Sequence, residues 1–295
     1  MQVESDVDDV KCGSRWVTSG MALRRLLLMQ AAVVLVCGCH PAPKRYDCFR
    51  TAAPPVIDGR LDEASWKRAA WTDAFVDIEG DSRPLPRFET RAKMMWDDEY
   101  FYVGARLDDP HVWGSLTEHD AIVFQDNDFE VFIDPDGDSR EYCEIEVNAL
   151  NTIFDLLLVR TYRDGGPARH EWDVDGLKTA VHVDGTLSQS ADVDSGWSVE
   201  MAIPWTSLAP YADGRAPPRA EDLWRVNFSR VQWQHQIVDG RYVKRPDARE
   251  DNWVWTPQGA VNMHLPHRWG FVAFINADSD SNGRSGSSAD RSALP

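Results

Sequence analysis

Phe124-Gln125-Asp126-Asn127-Asp128-Phe129-Glu130-Val131-Phe132-Ile133-Asp134-Pro135-Asp136-Gly137-Asp138, followed by Glu144-Ile145-Glu146-Val147-Asn148, is the stretch whose reading decides the fold. With period two it predicts two strands joined by a tight acidic turn. Phe129, Val131 and Ile133 fall on one face, and Asp128, Glu130, Phe132 and Asp134 on the other. On the returning strand, Cys143, Ile145 and Val147 lie opposite Tyr142, Glu144, Glu146 and Asn148. The apolar faces belong to a core. The other face mixes carboxylates, an amide and aromatic rings, so it is either plainly solvated or the floor of a polar binding site.

Short alternating runs continue on both sides. Residues 55–66 predict an extended segment, a turn and a short helix capped by Asp62 that carries Trp66 inward. Thr90–Trp96 and Tyr100–Leu107 predict a hairpin about Asp97-Asp98-Glu99. Further strands are expected at 152–162, 197–203, 224–233, 252–256 and 269–275, with a second hairpin of 177–183 and 186–191 about Asp184-Gly185. Many short strands with almost no helical period argue for an all-β antiparallel sandwich, jelly-roll-like and a single domain. A transmembrane barrel would need a regular apolar outer band, which these acidic faces lack.

The expected domain spans residues 51–276. Ahead of it, Met21 to residue 38 reads as a lipoprotein signal. Arg24 and Arg25 precede the apolar run Leu26–Val36, which is too short to span a membrane, and Val36-Cys37-Gly38-Cys39 resembles a bacterial lipobox with Cys39 lipidated. A plain secretory signal or a short anchor helix is the alternative. Residues 1–20 carry Glu4, Asp6, Asp8 and Asp9, which suits an upstream extension with Met21 as the true start, and 39–50 reads as a tether. Residues 277–295 are polar and expected to be disordered. His40 lacks the Asp that often follows an inner-membrane lipoprotein cysteine, which favours an outer-membrane or surface location.

The net charge of −17 repels nucleic acid and anionic headgroups, leaving the N-terminal lipid as the expected membrane contact. With Cys39 lipidated, Cys48 and Cys143 form either a disulfide or buried thiols. Of thirteen Trp residues, Trp66, Trp71, Trp96, Trp197, Trp205, Trp224 and Trp269 are assigned to packing. Trp113, Trp172, Trp233, Trp253 and Trp255 stand beside polar loops, where a ring is available for stacking on a sugar.

Five segments in order resemble the family 9 carbohydrate-binding module: 55–66, Trp96–Val103 with Asp109-Pro110, Asp128–Asp134, Trp197–Trp205, and Trp255-Thr256-Pro257 through Trp269-Gly270-Phe271. The resemblance covers nearly all of residues 50–276. It implies a β-sandwich that binds sugars without hydrolysing them, often beside a xylan-degrading hydrolase, and holds a sugar between two Trp rings. Carried over by position, Glu130 is the acidic ligand, Asn148 the amide and Trp255 one stacking ring. Phe124 stands where the other stacking Trp falls, and Glu146 where sugar-binding members have Arg. Arg230 is the candidate replacement guanidinium; its alternative is an ion pair with Glu130 or Glu146.

Asp134, Asp136 and Asp138 have the spacing of a Ca2+ loop, although Ser139 and Ile145 depart from the EF-hand pattern and a solvated acidic turn is the other reading. Two further functions are weighed. A glycoside hydrolase would pair carboxylates among Glu130, Glu144, Glu146 and Glu200. A haem-binding electron-transfer sandwich would take axial ligands from Met263, His264 and His267, which crowd into one loop. Nucleophile-elbow, phosphate-loop and Cys-x-x-Cys signatures are missing from the mature sequence.

Overall fold

The alternation of residues 128–148 becomes the middle of a large antiparallel array. The computed structural model describes residues 43–276. The expected extension, signal, Cys39 and tail beyond 276 lie outside the described residues. In chain order the strands are β1 (Arg45–Phe49), β2 (Val76–Asp77), β3 (Thr90–Trp96), β4 (Tyr100–Asp108), β5 (Asp128–Asp134), β6 (Arg140–Asn148), β7 (Ile153–Arg160) and β8 (Ala168–Arg169). They continue as β9 (Lys178–Asp184), β10 (Gly196–Pro204), β11 (Leu223–Gln232), β12 (His235–Val238), β13 (Arg241–Lys244), β14 (Asp251–Val254) and β15 (Gly270–Ile275). Two short helices, α1 (Ala64–Arg68) and α2 (Trp205–Leu208), complete the named frame.

One sheet runs β1-β15-β11-β5-β6-β7-β8, with β14 paired to β11 and to β2; the other runs β3-β4-β10-β9. The fold is an all-β sandwich. Its main core takes Phe129, Val131, Ile145 and Phe228 from the large sheet and Met94, Val103, Val199 and Met201 from the small one. The opposite face of the large sheet buries a second cluster with Phe132, Tyr142, Phe154, Leu156 and Trp269. Both faces of β5 and β6 are therefore covered, which is why the acidic face is not a solvated one.

Four local expectations change. Arg45–Phe49 is not tether but a strand, paired in parallel with β15, with Tyr46 and Cys48 buried. The residue capping α1 is Glu63, without a side-chain cap bond, because its carboxylate instead accepts from the Val56 amide at 3.2 Å. Residues 186–191 form no strand: β9 pairs with β10, and the Asp194 carboxylate gathers the amides of Thr186 and Val112 into a loop. An unexpected hairpin, β12–β13, turns at Asp239-Gly240.

Glu200 fastens the small sheet to the segment before α1. Its carboxylate accepts from Trp66 Nε1 at 2.6 Å and from the Gly59 amide at 2.7 Å, both buried, and from the amide of exposed Asp58 at 2.9 Å. Truncation strands two buried donors, Trp66 Nε1 and the Gly59 amide. Glu200→Ala is expected to lower unfolding free energy by about 3 kcal/mol or more, and Glu200→Gln by less, in urea titrations. Equal, sub-kcal losses would contradict this role.

Candidate functional site

The register of β5 and β6 sets Glu130 directly opposite Glu146. Glu144 lies two residues along the same face, opposite Phe132. These carboxylates floor a cavity of about 380 Å³ on the outer face of the large sheet. Phe124 stands at its rim, from a single 3-10 turn over Val123–Gln125, and its amide donates to Glu146 Oε2 at 2.8 Å. From β7 comes Phe154, stacked on His170 at 5.8 Å and 15°. Tyr162 meets the edge of His264 at 4.6 Å, and His264 Nδ1 lies 3.1 Å from the Tyr142 hydroxyl. Asn252 of β14 and the neighbouring Glu250 also line the cavity.

The floor is buried: Glu130, Glu144 and Glu146 are 5, 6 and 1 % exposed. Oxygens of Asp128, Glu130 and Glu146 lie within 4.8 Å of one another. Burial pushes the Glu130 carboxyl up to about 7. Burial, and then the neighbouring carboxylates, push Glu144, Glu146 and Asp128 well above the usual range. Among the described residues no lysine or arginine lines the cavity. The floor thus retains protons near neutral pH and presents O–H donors beside acceptors. Burial lowers His264 to about 4, so its ring is neutral.

Among the residues singled out from sequence, the structure brings Phe124, Glu130 and Glu146 together, with Glu144. It does not bring the others there. Asn148 is buried in a turn, its Nδ2 donating to the Leu116 carbonyl and Asp126 Oδ2, and its Oδ1 accepting the Leu150 and Thr152 amides. Arg230 lies on the opposite face, because Ser229 is the residue that pairs with Glu130. The guanidinium is buried against Asp109 at 3.4 Å, Thr90 and Gln232, and over Trp253 at 5.2 Å. It is therefore neither the replacement guanidinium nor the partner of Glu130 or Glu146.

Trp255 belongs to the main core, 5.9 Å from Phe228. Its ring lies so close to Gly270 that a Cβ there would stand 2.6 Å away. It forms no wall of the cavity. Trp71, expected to pack, is instead 39 % exposed under Lys93. Trp113 and Trp253 are buried.

Asp134, Asp136 and Asp138 bring one oxygen each within 4.8 Å of one another at the β5–β6 turn. Both oxygens of Asp134 already accept backbone amides, from Gly137 and Ser139 at 3.0 and 2.9 Å. Three carboxylates supply only part of the six to eight oxygens Ca2+ takes, so the residues present fit that ion incompletely. Glu200 sits on the other sheet, bound to Trp66. Met263 and His264 line the cavity side by side, while His267 is an exposed residue of the turn 266–268, so they do not face one another across a planar cofactor. Cys48 and Cys143 are free and buried.

Sequence reading missed Phe154, Tyr162, His170, Glu250 and Asn252. For Asn252 a signal existed. It alternates with Trp253 and Trp255, and it pairs with Val231 on the face of Ser229 and Glu130.

The carbohydrate family 9 binding domain-like family matches residues 57–288. The chain belongs to this family. It is 30% identical over 157 residues to exoglucanase XynX of Acetivibrio thermocellus, covering 52% of this chain and 12% of that protein. Endo-1,4-beta-xylanase A of Thermoanaerobacterium saccharolyticum is 29% identical over 157 residues, covering 53% and 11%. The chain thus spans about a tenth of the length of these curated relatives. A family 9 carbohydrate-binding module from Caldicellulosiruptor kristjanssonii, solved with cellotriose, superposes with a TM-score of 0.53. It is 17% identical and covers 82% of this chain and all of that one, a likeness of fold. Among the described residues no helix is long and apolar enough to cross a membrane.

The raised pKa of Glu130 has a stability consequence. The folded protein holds this proton more tightly than the unfolded chain does. Stability is therefore expected to fall as pH rises from about 4.5 to about 7, by up to about 3 kcal/mol from this group alone. Thermal melts across that window should show a shallower fall for Glu130→Gln. Parallel curves for variant and wild type would contradict the assignment.

Proposed function

We propose that this member of the carbohydrate-binding family holds a plant-type poly- or oligosaccharide in the Glu130–Glu146 cavity and does not hydrolyse it. The observation that carries the reading is the combination of a buried carboxyl floor with aromatic walls. Pyranose C–H faces rest on rings such as Phe124 and Tyr162, and hydroxyls exchange hydrogen bonds with carboxyls and with Asn252. The cavity volume of about 380 Å³ falls in the range of small-ligand sites. The cellotriose held by the Caldicellulosiruptor module supports a β-glucan or related chain as ligand.

One feature opposes the hydrolase alternative. Hydrolysis by paired carboxyls keeps one group ionised, whereas burial raises Glu130 and Glu146 alike. The domain is read as working beside a glycoside hydrolase, outside the cytoplasm, on a lipid attached at Cys39; the sequence of residues 21–39 motivates that placement.

Isothermal titration with cello- and xylo-oligosaccharides tests the proposal. At least one series is expected to bind, Phe124→Ala and Glu130→Ala to weaken it about ten-fold or more, a loss near 1.4 kcal/mol, and Trp71→Ala to leave it unchanged. No heat with any saccharide, or a loss confined to Trp71→Ala, would overturn it.

A further inference from the structure

At the edge of the large sheet, away from the β5–β6 turn, four side chains converge that neither the fold nor the proposed sugar site explains. His119 and Asp120 come from the loop after β4, Asp155 from β7, and Asp173 from the loop after β8. Their ligand-capable atoms all lie within 4.8 Å of one another. His119 Nε2 stands 3.0 Å from Asp173 Oδ1, 3.6 Å from Asp120 Oδ1 and 4.0 Å from Asp155 Oδ1.

Asp155 separates this group from an ordinary acidic patch. It is 2 % exposed on a strand whose neighbours Phe154 and Leu156 are apolar. One oxygen, Oδ2, accepts the Val174 amide. The other, Oδ1, is buried without a hydrogen-bond partner, and it is the atom aimed at His119. Leaving a carboxylate oxygen dry and unpaired costs about 1–3 kcal/mol or more. No lysine or arginine forms an ion pair with any of the three carboxylates among the described residues. A residue that faces an imidazole and two further carboxylates with its bare oxygen is placed as a ligand would be.

We infer that His119, Asp120, Asp155 and Asp173 form a binding site for one divalent transition-metal ion of the Zn2+ class. One imidazole nitrogen and three carboxylate oxygens supply four donors, the number a closed Zn2+ site uses. The imidazole selects against Mg2+ and Ca2+, which prefer all-oxygen shells. The ion would tie the loop of residues 119–120 and the loop of residue 173 to β7. The first of these loops leads directly into the turn that carries Phe124. The site is separate from the sugar-binding reading, and its test needs no sugar.

The experiment strips the full-length protein with EDTA and titrates it with Zn2+ against a chromophoric chelator, with Ca2+ as a parallel arm. One equivalent of Zn2+ is expected to bind and to raise the melting temperature. His119→Ala, a substitution at a half-exposed position, is expected to weaken binding by at least about ten-fold. Asp155→Asn should do the same, and Asp136→Asn should leave binding unchanged. Bound Co2+ should show d–d absorption that His119→Ala abolishes. Failure to bind Zn2+ stoichiometrically, full retention of binding in His119→Ala, or binding of Ca2+ alone would overturn the assignment.

Discussion

The pairing of Glu130 with Glu146 across β5 and β6 is the constraint on which the rest depends. Two carboxyls set opposite each other on a covered sheet face, with Asp128 and Glu144 beside them, cannot all ionise there. No guanidinium or ammonium comes from the cavity lining to neutralise them. The fold accommodates the set by keeping protons on it and by enclosing it with rings. The same enclosure makes a cavity whose floor can both donate and accept hydrogen bonds. The formal net charge of the chain, −17, counts these buried carboxyls as ionised.

The sandwich supports the arrangement by treating the two faces of β5 and β6 differently. Phe129, Val131, Cys143 and Ile145 meet the small sheet. Phe132 and Tyr142 continue the apolar surface on the outer side, around the carboxyls rather than beneath them. Ties at a distance hold the layers: Glu200 to Trp66 on one side, and Arg230 to Asp109, Thr90 and Gln232 within the core. Both are charges satisfied in place, so neither is available to a ligand.

Much of this was legible in the residues, and the failures have physical causes. Period two assigned both faces of the central strands, because Asp128–Ile133 and Cys143–Asn148 pair in unbroken register. The same rule, applied to Trp224, Val226, Phe228 and Arg230, places Arg230 on the inner face, where its charge is met by Asp109. Trp253 and Trp255 share the inner parity in the same way, leaving Asn252 outside. Asn148 kept its parity, yet its short amide turned to close the loop that follows it. The strand at 45–49 alternates plainly, but its parallel partner lies more than two hundred residues away, and the prolines before it suggested a tether. Tyr162, His170 and His264 reach the cavity from separate loops, and no local pattern announces such convergence.

The central claim is that ligand contacts this outer cavity and not the buried tryptophans. Chemical-shift mapping by NMR during titration with a cello-oligosaccharide tests it most directly. The account predicts perturbations confined to Phe124, Tyr162, Asn252 and the side-chain carboxyl carbons of Glu130 and Glu146, with the indole of Trp255 unmoved. Perturbations centred on Trp255 or on Trp71, with the carboxyl carbons of Glu130 and Glu146 silent, would contradict it.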